Sequence, residues 1–331
     1  DQQQKGGNGV GGWIYIDSGV TISSNGGKIV LAGGNDNGAN GGIAGDGIPD
    51  NFAWNALTND KAGIQFGPIG GTSAISGSSI NLLSNGGDII MRGYTSGVSA
   101  YPGMTTQKTF KVDSGVGTIS IFGGSSVGHG FEWVYGIDAA DFVITSASTS
   151  SNAISITGTT AKSGGYTAGI VALRSGNYLI QSTASTGGGI QFIADNQTAS
   201  GSQMIFSGTG GTAYILSKNG PINFSGAGGD GGFNTNGGAI KLGSASAVIV
   251  NGVTSSVASS TSDITFTTNT FSFGASSAIN TTGSLTIQPF GTSFTDVTLS
   301  NLSFASSFSQ VTLGKVGNTG RLTISSNIAS A

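Results

Sequence analysis

The chain contains no cysteine, a single histidine (His129), and only 12 Lys or Arg and 15 Asp or Glu in 331 residues. Each scarcity excludes something. Without cysteine there is no disulfide framework, no Cys-ligated zinc and no thiol nucleophile. One histidine excludes multi-His metal sites. Charged residues make up 8% of the chain, against about 25% in typical soluble domains. A net charge of −3 leaves no basic face to neutralise phosphates, so nucleic acid is not an expected partner. No run of 18 apolar residues is present, so no helix is expected to span a membrane.

Glycine is abundant instead, with 60 residues against about 7% in ordinary proteins. It does not recur at every third position, which excludes collagen. Regularly spaced β-branched residues argue against disorder. The first residues, Asp1-Gln2-Gln3-Gln4-Lys5, lack the basic-then-apolar build of a signal peptide. The expectation is a removed signal or a piece of a longer chain.

One local pattern repeats: a Gly/Asn/Ser turn, four to six residues alternating apolar and polar, then another turn. Four copies share an opening, at Asn25-Gly26-Gly27-Lys28-Ile29, Asn85-Gly86-Gly87-Asp88-Ile89, Asn219-Gly220-Pro221-Ile222 and Asn236-Gly237-Gly238-Ala239-Ile240. Looser relatives include Gly117-Thr118-Ile119-Ser120-Ile121, Asn152-Ala153-Ile154-Ser155-Ile156 and Gly283-Ser284-Leu285-Thr286-Ile287. Period-two alternation places Ile, Leu and Phe on one face and Thr, Ser, Asn or Gln on the other. Glycine and asparagine supply the positive φ that tight turns require. No window carries helical periodicity.

About two dozen short, similar strands do not suit a sandwich or barrel of this size. Repeats of about 20–35 residues indicate a solenoid whose units bury their apolar faces against one another. The predicted fold is an all-β parallel β-helix with two or three strands per coil. Roughly a dozen coils at about 4.8 Å spacing would give a rod of about 55 Å. The chain reads as one domain, residues 1–331. Its first part, 1–140, bears loops at 34–61, 94–108 and 128–140; residues 141–331 form more regular Ser/Thr-rich coils.

Towards the end the pattern becomes specific. Thr270-Phe271-Ser272-Phe273, Gly283-Ser284-Leu285-Thr286-Ile287-Gln288-Pro289, Phe308-Ser309-Gln310-Val311-Thr312-Leu313-Gly314-Lys315 and Gly317-Asn318-Thr319-Gly320-Arg321-Leu322-Thr323-Ile324 follow in series. This resembles the repeat region of bacterial exoproteins of the filamentous-haemagglutinin type, at motif level over about 270–325 and in texture throughout. The resemblance implies a right-handed parallel β-helix, export through a partner pore, location at the cell surface or outside it, and a structural or adhesive role; from its own residues no catalysis is expected of the chain. A fragment, a processed subunit or a compact relative would each fit it.

Candidate chemistry is sparse. Gly7-Asn8-Gly9-Val10-Gly11-Gly12 fits a dinucleotide fingerprint only in letters, since the strand Trp13-Ile14-Tyr15-Ile16 follows where a helix belongs. Gly124-Ser125-Ser126-Val127-Gly128 matches a nucleophile elbow, but His129 is too near to follow a separate acid. Asp36, Asp46 and Asp50 form the best metal candidate, because Asp46-Gly47-Ile48-Pro49-Asp50 is similar to the core of Ca²⁺-binding Asp-rich repeats. Tyr101, Phe131, Trp133 and Tyr135, in the segments 94–104 and 129–135, offer aromatic surface for a cell-surface glycan. A polysaccharide lyase or hydrolase would need converging acids, for which Glu132, Asp138 and Asp141 are the nearest candidates. No cofactor is required by any of these readings beyond Ca²⁺ at the aspartate loop. An open coil end would present unpaired backbone groups, so end-to-end self-association or a longer parent chain is expected.

Overall fold

The computed structural model describes residues 13–34, 37, 44–46, 49, 52–55, 62–67, 79–95, 103–106, 109–125, 131–133, 142–160, 168–172, 177–196, 203–206, 210–227, 232–235, 237–304 and 307–326. Over these residues the fold is all-β and parallel, a β-helix built from three long sheets. Sheet A begins with Ile14–Ile16, sheet B with Thr21–Ser23 and sheet C with Ile29–Leu31. The chain visits them in that order and returns to A one coil further on. Sheet B holds nine strands, ending at Leu302–Phe304, and sheet C ends at Gln310–Leu313. Strands of the three long sheets therefore come three to a coil, with nine rungs in sheet B. This is fewer coils than the sequence suggests, because the early coils are lengthened by insertions. Nine rungs at about 4.8 Å span about 40 Å.

Register explains the alternation. In sheet C, Ile29, Ile89, Ile119, Ile154, Ile190, Ile222, Ile264, Leu285 and Val311 occupy one position in nine successive rungs. From Ile89 to Leu285 all are fully buried. Two residues along, Phe192, Phe224 and Phe266 stack ring on ring, with centroids 5.1 and 4.8 Å apart and interplanar angles of 5° and 10°. A shift of one residue in any rung would move its whole apolar set to the outside.

The corner after sheet B carries a second ladder, of hydroxyls. Ser24, Ser84, Ser114, Ser146, Ser182, Ser217, Ser244 and Thr281 follow the same register position in successive coils. All but Ser24 are buried. They satisfy backbone groups where the chain turns: Ser84 Oγ donates to the Ser114 carbonyl at 3.2 Å, and Ser146 Oγ to the Gly117 carbonyl at 2.7 Å. Ser182 Oγ has no partner among the described residues. At this corner Asn25 and Asn85 adopt φ of 51° and 55°. Coils also approach so closely that a Cβ on Gly117 would lie 2.1 Å from the Gly87 carbonyl oxygen. Only glycine fits there.

One element breaks the parallel plan. Ala245–Val250 and Val253–Val257 form an antiparallel hairpin inserted between the sheet B strand Ala239–Gly243 and the sheet C strand Ile264–Thr267. Its turn is Asn251-Gly252, with φ of 48° and 71°, as a type I′ hairpin requires. The hairpin folds back over the outer face of sheet B. Val248, Val250 and Val257 pack there against Val143, Leu179 and Leu216 to make a second buried cluster. Val143, Leu179 and Tyr214 share one outward register position in three successive coils, so the hairpin reaches back along the rod.

Candidate functional site

The aspartate-rich segment interrupts a single rung. Ile29–Leu31 pairs with Ile89 to Met91, and Ala53–Asn55 pairs with Gly93 to Thr95 of the same seven-residue strand. The two short strands are therefore halves of one rung, and the intervening residues leave its middle and return. The base is tight, since a Cβ on Gly33 would lie 2.8 Å from the Phe52 carbonyl oxygen. Arg92 fastens the returning arm by donating from Nη1 to the Pro49 carbonyl oxygen at 2.8 Å. Of the three proposed Ca²⁺ ligands, Asp46 sits exposed in a turn beside Gly45, whose φ is 80°. Asp36 and Asp50 lie outside the described residues. Among the described residues no three His, Asp or Glu side chains gather as a metal site would require.

Tyr101, Tyr135, Asp138, Asp141 and His129 also lie outside the described residues. Phe131–Trp133 is a strand of sheet A, between Met104–Thr106 and Ala168–Ala172. Phe131 takes the register position of Ile64, Met104, Ile170 and Met204, which are buried in the core. Trp133 takes the position of Phe66 and Thr106. Glu132 falls on the alternate position, with Tyr15 and Gln65. Gln65 is buried there, donating Nε2 to the Gly67 carbonyl at 2.8 Å and leaving Oε1 unpartnered among the described residues.

Several acids join coils. Asp88 precedes Ile89 and accepts from both the N–H and the hydroxyl of Thr118, which precedes Ile119 one coil on, each at 2.9 Å. Asp263 does the same for Ser284, at 2.7 Å to both groups. Asp296 accepts from the Arg321 N–H at 2.9 Å and pairs with its guanidinium at 3.1 Å. In each case a carboxylate just before one strand binds the residue just before its neighbour. Burial raises the Asp88 pKa, but the two Thr118 bonds and Lys28, 3.6 Å away, outweigh it and hold the carboxyl below its ordinary value. Asp113 caps its own turn through the Gly115 N–H at 3.0 Å, and Asp17 accepts from Ser18 N–H and the Tyr15 hydroxyl. Burial, then that bond, raises the Tyr15 pKa.

A different cluster emerges beside the interrupted rung. Pairing of Ala53 with Gly93, and of Arg92 with Phe122, aligns Phe52, Arg92 and Phe122 on one outward ladder of sheet C, followed by Thr157. Phe52 contacts Phe122, with centroids 5.0 Å apart, and Tyr94, at 5.7 Å. The Tyr94 ring lies over Gly124, where an added Cβ would come within 2.6 Å of it. All three rings and Arg92 are half-buried. Neither Phe52 nor Phe122 stands out in the sequence, because nothing local places residue 52 beside residue 122.

No described helix is long and apolar enough to cross a membrane. Searches of protein-family models, curated proteins and solved structures find no match to this chain.

Proposed function

We propose that the chain is a structural and adhesive rod without catalytic activity: a β-helical part of a bacterial surface exoprotein of the filamentous-haemagglutinin type, secreted and held outside the cell. The observation that carries this reading is the contrast between the middle and the ends of the stack. Inner-ladder residues from Ile89 to Leu285 are sealed, whereas Ile14, Ile22 and Leu31 in the first described coil are only partly covered. Phe304, Val311, Leu322 and Ile324 in the last are likewise partly covered, and Leu313 is 45% exposed. The two faces match in pattern. Leu322-Thr323-Ile324 would meet Ile14-Tyr15-Ile16 with apolar residues at the same two positions, and Val311 and Leu313 would meet Ile29 and Leu31.

A further coil seated on either face would bury these residues and pair the edge backbone, whether it came from a longer parent chain or a second copy. The acids support the non-enzymatic part of the reading, since Asp88, Asp263 and Asp296 are engaged as ties between coils. Electron microscopy of the purified chain over a range of concentrations tests assembly. Filaments with an axial repeat of about 40 Å are expected. Single rods at every concentration would count against self-assembly, and release of sugar from a polysaccharide would overturn the non-enzymatic reading. Repeating the imaging with Ca²⁺ and with chelator tests whether the Asp36, Asp46 and Asp50 segment controls association.

A further inference from the structure

The structure carries one cation whose surroundings are built for more than solubility. Arg92 lies on an outward ladder between Phe52 and Phe122, half-buried and two residues before Tyr94 on the same strand face. Its single hydrogen bond among the described residues uses one Nη1 proton on the Pro49 carbonyl, a neutral acceptor. The ion pairs among the described residues are Lys28 with Asp88 and Arg321 with Asp296, so no described carboxylate compensates Arg92. A planar guanidinium presents five donors in a fork that matches a carboxylate. Holding such a group partly out of water without an anionic partner is costly, and a carboxylate arriving from outside would relieve that cost.

The neighbours define the rest of such a ligand. Phe52, Phe122 and Tyr94 form a patch of three touching rings on the rod surface. Aromatic faces accommodate the C–H face of a pyranose ring, while hydroxyls around the rim bind its O–H groups. Thr157 provides a half-buried hydroxyl next on the Arg92 ladder. We infer that this patch is a binding site for a carboxylated sugar, with the Arg92 guanidinium pairing with the carboxylate and the aromatic rings carrying the pyranose. The site is distinct from Tyr101, Phe131, Trp133 and Tyr135. It deepens the adhesive part of the proposed function and rests on it. Ligand binding is read on single molecules, whereas rod assembly is read by imaging, so either can fail alone.

Calorimetric titration with tetragalacturonate, with its methyl-esterified form and with a sulfated neutral oligosaccharide provides the test. Tetragalacturonate is expected to bind, and the neutral ester to bind at least about tenfold more weakly, as loss of a hydrogen bond to a charged group implies. Arg92→Gln should weaken tetragalacturonate binding by a similar factor and flatten its salt dependence. Because Arg92 also holds Pro49, Phe122→Ala serves as a second variant that leaves that bond in place; it should weaken both the acid and the ester. Equal binding of acid and ester, tighter binding of the sulfated sugar, or no binding of tetragalacturonate to the unaltered chain would each overturn the proposal. So would unchanged affinity in a folded Arg92→Gln chain or in a folded Phe122→Ala chain.

Discussion

Ser255 donates a hydrogen bond of 2.6 Å from Oγ to Oε1 of Gln181, in a buried contact between residues 74 apart in sequence. It joins the antiparallel hairpin to an outward position of sheet B, two coils before the one from which the hairpin departs. The hairpin thereby acts as a strap across coils that are otherwise held only by their neighbours.

Loosening that strap should be measurable. Leu179→Ala removes a fully buried side chain from the interface and is expected to cost about 2–5 kcal/mol of local stability. Ser255→Ala leaves Gln181 Oε1 without its donor, at about 1–3 kcal/mol. Hydrogen exchange should show residues 245–257 losing protection first, while the coil around Leu285 stays protected. Uniform loss along the rod would show that the strap is not an independent element.

Glycine at the tight corner admits a steric test. Gly117→Ala sets a Cβ against the Gly87 carbonyl at 2.1 Å and should destabilise by about 1–3 kcal/mol or more. Gly291→Ala, where the added atom meets nothing within 4 Å, is the control and should be near neutral. Equal thermal midpoints for the two variants would refute the close approach.

The phenylalanine stack concentrates stability in the middle coils. Phe224 lies between Phe192 and Phe266 and makes edge contacts with Phe206 and Phe233. Phe224→Ala should cost about 3–5 kcal/mol. In a solenoid the damage should centre on that coil and its neighbours, which exchange mapping would reveal.

Asp88 gives a pH dependence of definite sign. Its folded pKa lies below the ordinary 3.8, so its contribution is fully present above that value and declines as pH falls through the folded pKa. The carboxylate is partly exposed to solvent, which screens the interaction, so the effect should be small. Acid unfolding of Asp88→Asn should lose this part of the slope, and an unchanged acid profile would contradict the tie to Thr118.

Much of the fold was legible because a strand in a solenoid is a local object. Alternation in Ile119-Ser120-Ile121 or Leu285-Thr286-Ile287 records directly which side is buried. Sheet membership was not legible. Three of the Asn-Gly-led openings precede sheet C strands, at Ile29, Ile89 and Ile222, but the fourth precedes the sheet B strand at Ala239–Gly243. The same turn chemistry serves either corner. The hairpin carried a local signal in Asn251-Gly252, flanked by Val250 and Val253, yet nothing local says that it packs on Val143 and Leu179. Phe131 and Trp133 attract notice as aromatics; their places in the sheet A ladders appear only once the register is known.

By itself the sequence determined the strand, the turn and the buried face, because alternation and positive φ act over a few residues. It also determined the absence of cysteine chemistry and the scarcity of charge. Tertiary structure decided what meets across coils: the serine ladder, the carboxylate ties, the strap on sheet B, and the placing of Phe52, Arg92 and Phe122 together. Those contacts depend on insertion lengths and coil register, which sum along the whole chain and leave no mark on any short stretch of it.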